Sequence, residues 1–223
     1  MKVSIIIPVL NEAEHIVDTL TSLSAFRHQG HEVIVVDGGS TDVTIAQAES
    51  LADKVLHSDR GRAIQMNTGI EAATGDVMLF LHADTRLPDD ALNAITQTIA
   101  EGHFWGRFDV RLSGQQLMLR IIERMMNLRS CVTGIATGDQ AIFISRECLD
   151  IVGQYSELPL MEDIDFSKRL REVDWPACLK NAVITSSRRW EDRGVWKTVL
   201  LMWRLRLLYF FGVPAEKLAR QYQ

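Results

Sequence analysis

The 223-residue chain has little cysteine and no pattern in what it has. Cys131, Cys148 and Cys178 are far apart, with no C-x-x-C pair and no even-numbered framework. That excludes a disulfide-stapled scaffold, makes a reducing cytosol the default compartment, and predicts each thiol as a small buried apolar residue. Positive charge is not in surplus either: 24 Lys and Arg stand against 29 Asp and Glu, a net charge of −5. No global basic footprint for nucleic acid exists, so an anionic ligand has to be held by local charge or backbone amides. There is no G-x-x-x-x-G-K-[ST] and no G-x-G-x-x-G after the first apolar run, which excludes a P-loop and counts against a dinucleotide site. Internal repeats, low-complexity segments and linkers are missing. The opening MKVSIIIPVLNE is too short and too soon polar for a signal-peptide core and reads as a strand. One long apolar stretch occurs, Val195–Val213, but Lys197, Arg204 and Arg206 interrupt it and argue against a spanning helix. Lys197 and Arg204 share a helix face and Arg206 lies nearly opposite. Two roles stay open for 190–213: packing on the domain or on a second copy in a homodimer, or peripheral contact with the cytoplasmic face of a membrane.

What is present is an ordinary globular mix, 47% apolar and 24% charged, in a chain long enough for one sizeable core. Val3–Val9 and Glu32–Asp37 are continuous β-branched runs of the kind buried on both faces of a parallel sheet. Lys54–His57 and Asp76–Leu81 complete four strands. Helices are predicted after each: one capped by Asn11 with Ile16, Leu20 and Leu23 inward, one from Ser40 or Thr41 to about Ala52, one over Gly61–Ala73, and one from Pro88 to about Glu101. This alternation predicts an α/β fold, an open, mainly parallel twisted sheet with helices on both faces. Beyond residue 102 the rhythm changes. Strands are predicted over His103–Leu112, Gly138–Ser145 and Cys178–Thr185, with helices over Gln115–Leu128, Met161–Arg171 and Trp190–Phe211. The whole reads as one domain, 1–223: an alternating α/β half to about 101, a second part over 102–189 that adds to the same sheet, and a C-terminal apolar helix from 190.

In open α/β sheets, ligands gather beyond the carboxyl ends of the strands. Those ends are Pro8–Glu12, Asp37–Asp42, Ser58–Arg62 and His82–Asp84, all rich in polar side chains. Asp37, before two glycines, can bond its own turn or accept the ring N–H of a base. Arg60 and Arg62 flank a helix N-terminus, where the dipole disfavours cations; an anion bound there would resolve the conflict. The alternative is two solvated surface arginines. Asp84 directly follows a buried strand and suits a hard cation that also takes diphosphate oxygens, with His82 two residues back; a polar strand end without metal is the competing reading. Glu162 and Asp163 open a helix acids-first, as the dipole favours, but adjacent carboxylates just after an apolar stretch also suit a catalytic acid–base role.

Together these stretches resemble the family 2 glycosyltransferases. The matching pieces are SIIIPVLNE at 4–12, VIVVDGGSTDVT at 33–44, RGRAIQMNTGIEAATGDVMLFLHADT at 60–85, TGDQAIFISRE at 137–147 and MEDIDFSKRLR at 161–171, in the family's order. The small size and the HADTRLP stretch are similar to a compact bacterial subgroup. The resemblance implies an A-type glycosyltransferase fold, a Rossmann-like nucleotide-binding half joined to an acceptor half. It implies a nucleotide-sugar donor, with UDP favoured, and a small-molecule or lipid acceptor. Pro8, Asn11, Glu12 and Asp37 would frame the nucleoside, and Arg60 and Arg62 would lie near the diphosphate. Asn67, Ala83, Asp139 and Gln140 are further donor-side candidates. Asp84 corresponds to the last acid of the D-x-D motif that holds a divalent metal, Mn²⁺ or Mg²⁺, and Asp163 to the general base, with Glu162 beside it.

Two departures bear on this. A second acid usually follows where this chain has Gly38, and His82 replaces the first acid of D-x-D. A ring nitrogen would favour Mn²⁺ over Mg²⁺ if it ligates. The chemistry implied is single displacement with inversion, which needs no enzyme nucleophile. A sugar-phosphate nucleotidyltransferase is the rival enzyme, expected to carry a glycine-rich first loop with Arg and Lys where residues 8–20 have Pro, Asn and Glu. A non-catalytic nucleotide-sugar-binding homologue is the third reading.

Overall fold

The computed structural model describes residues 1–222, and the side chains of all of these except 189, 192 and 193. In chain order the elements are β1 (Val3–Val9), α1 (Ile16–Ser22), α2 (Ser24–His28), β2 (Glu32–Asp37), α3 (Thr44–Ala48), β3 (Lys54–His57), α4 (Arg62–Ala72), β4 (Val77–Phe80), β5 (Thr85–Arg86) and α5 (Ala91–Ala100). There follow β6 (Trp105–Leu112), α6 (Leu117–Thr133), β7 (Phe143–Ser145), α7 (Arg146–Val152), α8 (Glu162–Val173), β8 (Ala177–Thr185), α9 (Arg188–Arg193), α10 (Val195–Phe210) and α11 (Ala215–Tyr222).

The strands form one sheet in the order β3-β2-β1-β4-β7-β6-β8-β5. The first four run parallel. Beyond them β7 is antiparallel to both β4 and β6, β8 is parallel to β6, and β5 is antiparallel to β8. The sheet is therefore mixed, with its parallel part formed by the first four strands. Because β2 lies on one side of β1 and β4 on the other, the strand order reverses between β1 and β4. Such a reversal opens a crevice at the carboxyl ends, where ligands bind.

The apolar runs bury both faces of the sheet, as continuous β-branched strands require. In β1, Ile5, Ile7 and Val9 pack with Ile16, Leu20, Leu92 and Ile95. Ile6 points the other way, to Ile34, Met66, Ile70 and Phe166. That is the two-residue period of a strand, and each fully buried side chain of this size contributes about 1.5–3 kcal/mol. Gly69 lets α4 lie directly on β1: a Cβ there would collide with Ile6.

Several expectations need correcting. The helix after Asn11 starts only at Ile16. Asn11 instead takes a left-handed backbone (φ 55°) and its side-chain oxygen accepts the Thr41 N–H at 2.8 Å. The segment 138–140 is a 3₁₀ turn rather than strand: the Gln140 N–H donates to the Thr137 carbonyl at 2.9 Å and the Gln140 side chain accepts the Thr137 N–H at 3.3 Å. The long helix from Trp190 is broken at Gly194 (φ 82°), which separates α9 from α10. Cys131 and Cys178 are joined as a disulfide, leaving Cys148 as the free buried thiol. Packing of α6 on β6, next to β8, brings these two cysteines together across 47 residues of sequence.

Candidate active site

A cleft of about 730 Å³ opens over the carboxyl ends of β1 and β4. Pro8, Glu12, Arg60, Arg62, His82, Ala83 and Asp84 border it from the parallel half, and Asp139, Glu162 and Asp163 border it from the other. These residues come from stretches up to 155 positions apart (8 to 163) and share one cavity.

Asp163 sits in the first turn of α8, just after Met161, whose left-handed backbone (φ 69°) turns the chain sharply into the helix. One carboxylate oxygen accepts the Gly138 N–H at 3.1 Å and the other accepts the Ile164 N–H at 2.8 Å. Lone pairs on both oxygens remain for a substrate hydroxyl. Its neighbour Glu162 is buried and receives Arg62 at 3.0 Å. Burial, reinforced by the Asp163 charge, raises the Glu162 pKa, and the Arg62 guanidinium offsets part of that. The pair is a brace between α4 and α8.

His82 faces Asp139, its Nδ1 3.3 Å from a carboxylate oxygen. Burial opposes the charge of Asp139, yet the His82 hydrogen bond and the Arg62 and Arg206 charges outweigh it and hold its pKa below the ordinary value. The far edge of the ring rests on Gly138: a Cβ there would stand 2.5 Å from His82 Nε2. His82 is thus enclosed by the 138–139 turn, with one ring nitrogen on Asp139 and the other on Gly138. Among the described residues, Asp84 is nearly unspent, its hydrogen bond being a 3.4 Å contact from Thr85 Oγ1. Glu12 stands close enough that burial and then the Asp84 charge raise its pKa. Among the described residues no three His, Cys, Asp or Glu side chains converge as a metal cage. What this donor set fits is a cation gripped by one carboxylate and completed by phosphate oxygens and water.

Four expected donor-side residues, Asn11, Asp37, Asn67 and Gln140, do not line this cleft. Asn67 is buried and exchanges two 2.9 Å hydrogen bonds with the Tyr155 backbone, pinning the segment that leads into α8. Gln140 is fully buried and donates to Ser130 Oγ at 2.9 Å. Neither borders the cleft: a polar side chain in a matching motif does not disclose whether the interior claims it first. Asp37 accepts the N–H groups of Gly39 and Ser40 at 3.0–3.1 Å. Burial alone would raise its pKa, but these bonds and His57 lower it. With Asn11 it orders the paired loops after β1 and β2 without lining the cavity.

The sequence reading missed Gln65, which ties β1 to β2 by donating to the carbonyls of Val9 and Val36, each at 2.8 Å. It also missed Arg206, which reaches the cleft from α10; the signal was there in its position opposite Lys197 and Arg204.

A parallel half, a crevice at the strand reversal and carboxylates from both parts of the chain bordering it are the features of an A-type glycosyltransferase fold. The profile described as glycosyl transferase family 2 matches residues 4–145. The chain belongs to that family. It is 25% identical over 225 residues to beta-monoglucosyldiacylglycerol synthase of Synechocystis sp., a match covering 87% of this chain and 47% of that protein. The chain therefore spans about half the length of this relative. Among solved structures it resembles mannosyltransferase PcManGT from Pyrobaculum calidifontis in complex with GDP-Man and Mn²⁺, with a TM-score of 0.69, 22% identity, and 92% and 60% of the two chains covered. It also resembles S. aureus TarS 1–349 in complex with UDP-GlcNAc, with a TM-score of 0.65, 21% identity, and 83% and 58% covered.

Proposed function

We propose that the chain transfers a sugar from a nucleoside-diphosphate sugar, UDP being the expected nucleotide, to an acceptor hydroxyl with inversion at the anomeric carbon. One relationship carries this: Asp84 and Asp163, an available carboxylate from each half, border the same cleft. Asp163 takes the acceptor proton as the oxygen attacks, a task that requires approach to ~2.6–3.2 Å. Its bonds to Gly138 and Ile164 fix the carboxylate before substrate arrives. The leaving diphosphate gains negative charge. Arg60, Arg62 and the free N–H groups at the start of α4 suit it electrostatically. Asp84 is the residue that would hold a divalent metal, Mn²⁺ or Mg²⁺, and such an ion neutralises charge on a departing diphosphate. His82, enclosed by Asp139 and Gly138, orients the 138–139 turn rather than serving as a second metal ligand. Asp37, Asn11 and Gln65 shape the nucleoside end of the cleft by holding its loops.

A panel of nucleotide sugars incubated with Mn²⁺ tests this through release of nucleoside diphosphate. Consumption of a nucleoside triphosphate with a sugar phosphate would identify a nucleotidyltransferase instead. Tight donor binding without turnover would favour a non-catalytic binding protein. PcManGT and TarS, in complexes with GDP-Man and UDP-GlcNAc, support the donor class. Beta-monoglucosyldiacylglycerol synthase supports a lipid among the acceptors to be tried.

A further inference from the structure

Two helices, α6 and the cleft-bordering α10, leave regular rows of large apolar side chains in solvent. On α6 the row is Leu117, Ile121, Met125, Leu128 and Val132; on α10 it is Trp196, Leu200, Trp203, Leu207 and Phe210. Each is 43–77% exposed. Steps of three and four residues put each row on one side of its helix. The helices meet through a separate set, Leu119, Ile122 and Met126 against Val195 and Val199, so neither row is used in joining them. Scattered exposed apolar residues need no explanation; two continuous rows on packed neighbours do.

Charge selects the occupant. Together α6 and α10 carry six basic residues, Arg120, Arg124, Arg129, Lys197, Arg204 and Arg206, and one acid, Glu123. Glu123 is buried and bonded to Arg120, so it cancels little outside. The rest of the chain is acidic enough to make the total −5. At 3.6 residues per turn, the exposed Arg124 flanks the α6 row on one edge, while Arg129 on the other turns its Nε and Nη2 into the interior. The exposed Lys197 and Arg204 flank the α10 row on one edge, and Arg206 on the other edge turns into the cleft. An apolar stripe rimmed by cations suits the interface of an anionic bilayer, where the stripe enters the acyl boundary and the cations meet headgroups. A second copy docked by the same face would oppose cation to cation. No described helix is long and apolar enough to cross a membrane.

We propose that α6 and α10 together form a monotopic docking face for an anionic lipid surface. The face continues into the cleft, which Thr198, Met202 and Arg206 of α10 border. It stands independently of the transferase reading, because vesicle binding needs neither donor nor turnover.

The test is co-sedimentation of the full chain with vesicles of phosphatidylcholine alone or mixed with phosphatidylglycerol, at low and high salt. Wild type is expected to pellet with the anionic vesicles, weakly with the neutral ones, and less as salt rises. Leu128→Glu combined with Trp203→Glu should abolish pelleting with an unchanged thermal melt. Lys197→Glu combined with Arg204→Glu should weaken it by roughly fivefold or more per charge. Wild type that stays in the supernatant with anionic vesicles overturns the proposal, as does undiminished binding by both double variants. A dimer in light scattering that Leu128→Glu/Trp203→Glu converts to monomer, without vesicle binding, assigns the face to a second copy and also overturns it.

Discussion

Arg62 and Glu162 are separated by 100 residues of sequence and meet at 3.0 Å, the carboxylate being 4% exposed and the guanidinium 45%. The contact joins the start of α4 to the start of α8, and so the arginine expected near diphosphate to the turn that presents Asp163. Replacing Arg62 with Met leaves a buried carboxylate without its cation. The expected loss is about 1–3 kcal/mol, at the lower end because Arg62 is half in water. Chemical denaturation at neutral pH measures it.

Glu162 also makes a pH prediction. Its folded pKa lies above the ordinary 4.5, burial being the first cause and Asp163 the second. Between the unfolded and folded values the native state holds more protons than the unfolded chain. This contribution is therefore fully present below about 4.5 and is lost as pH rises through the folded pKa. Glu162→Gln keeps an acceptor for Arg62 and removes the titration. The difference in melting temperature between wild type and variant should shift in the variant's favour as pH rises from 4.5 toward neutrality. A difference independent of pH would show that Glu162 does not titrate in this window.

Gly138 should not tolerate a side chain. The Cβ of Gly138→Ala would lie 2.5 Å from His82 Nε2, so the ring must leave its place beside Asp139. Overpacking of this kind costs about 1–3 kcal/mol. Because the Gly138 N–H also holds Asp163, the maximal rate should fall along with stability. A variant as stable and active as wild type would mean that the 138–139 turn and His82 move freely.

How legible was this in the sequence? The parallel half was, because continuous β-branched runs and polar strand ends are local signals, and Asp84 and Asp163 border the cleft as their motifs suggest. Asn67 and Gln140 were not. Their polarity reads the same whether it faces ligand or meets the Tyr155 backbone and Ser130 in the interior. The Cys131–Cys178 bond depends on β8 lying beside β6, a long-range pairing with no local signature. The apolar row on α6 lay in plain view as a Met- and Arg-rich helix, but only the packing shows which of its faces is left over.

Asn67→Ala separates a structural role from a binding one. It strips the Tyr155 N–H and C=O of their partners, a loss of about 1–3 kcal/mol. Donor affinity, measured by calorimetry below the variant's melting range, should stay close to wild type. A large loss of affinity with little loss of stability would return Asn67 to the donor site.

Asp84→Ala should weaken metal-dependent donor binding by at least the roughly 10–100-fold that even indirect supports of a metal are worth. Binding without metal should change little. Titrations with Mn²⁺ present and absent distinguish these, and an unchanged metal dependence would put the cation elsewhere.

Asp163→Asn, with turnover of the active nucleotide sugar and donor affinity measured on one preparation, isolates the role of Asp163 as base. Asparagine keeps one side-chain oxygen for the Gly138 N–H and gives up the bond to the Ile164 N–H, so the contact that ties α8 to the 138–139 turn stays while the base is gone. The variant's kcat should fall by about 10²–10⁴-fold, with donor affinity within a small factor of wild type. Transfer at the wild-type rate with unchanged donor binding would contradict that role.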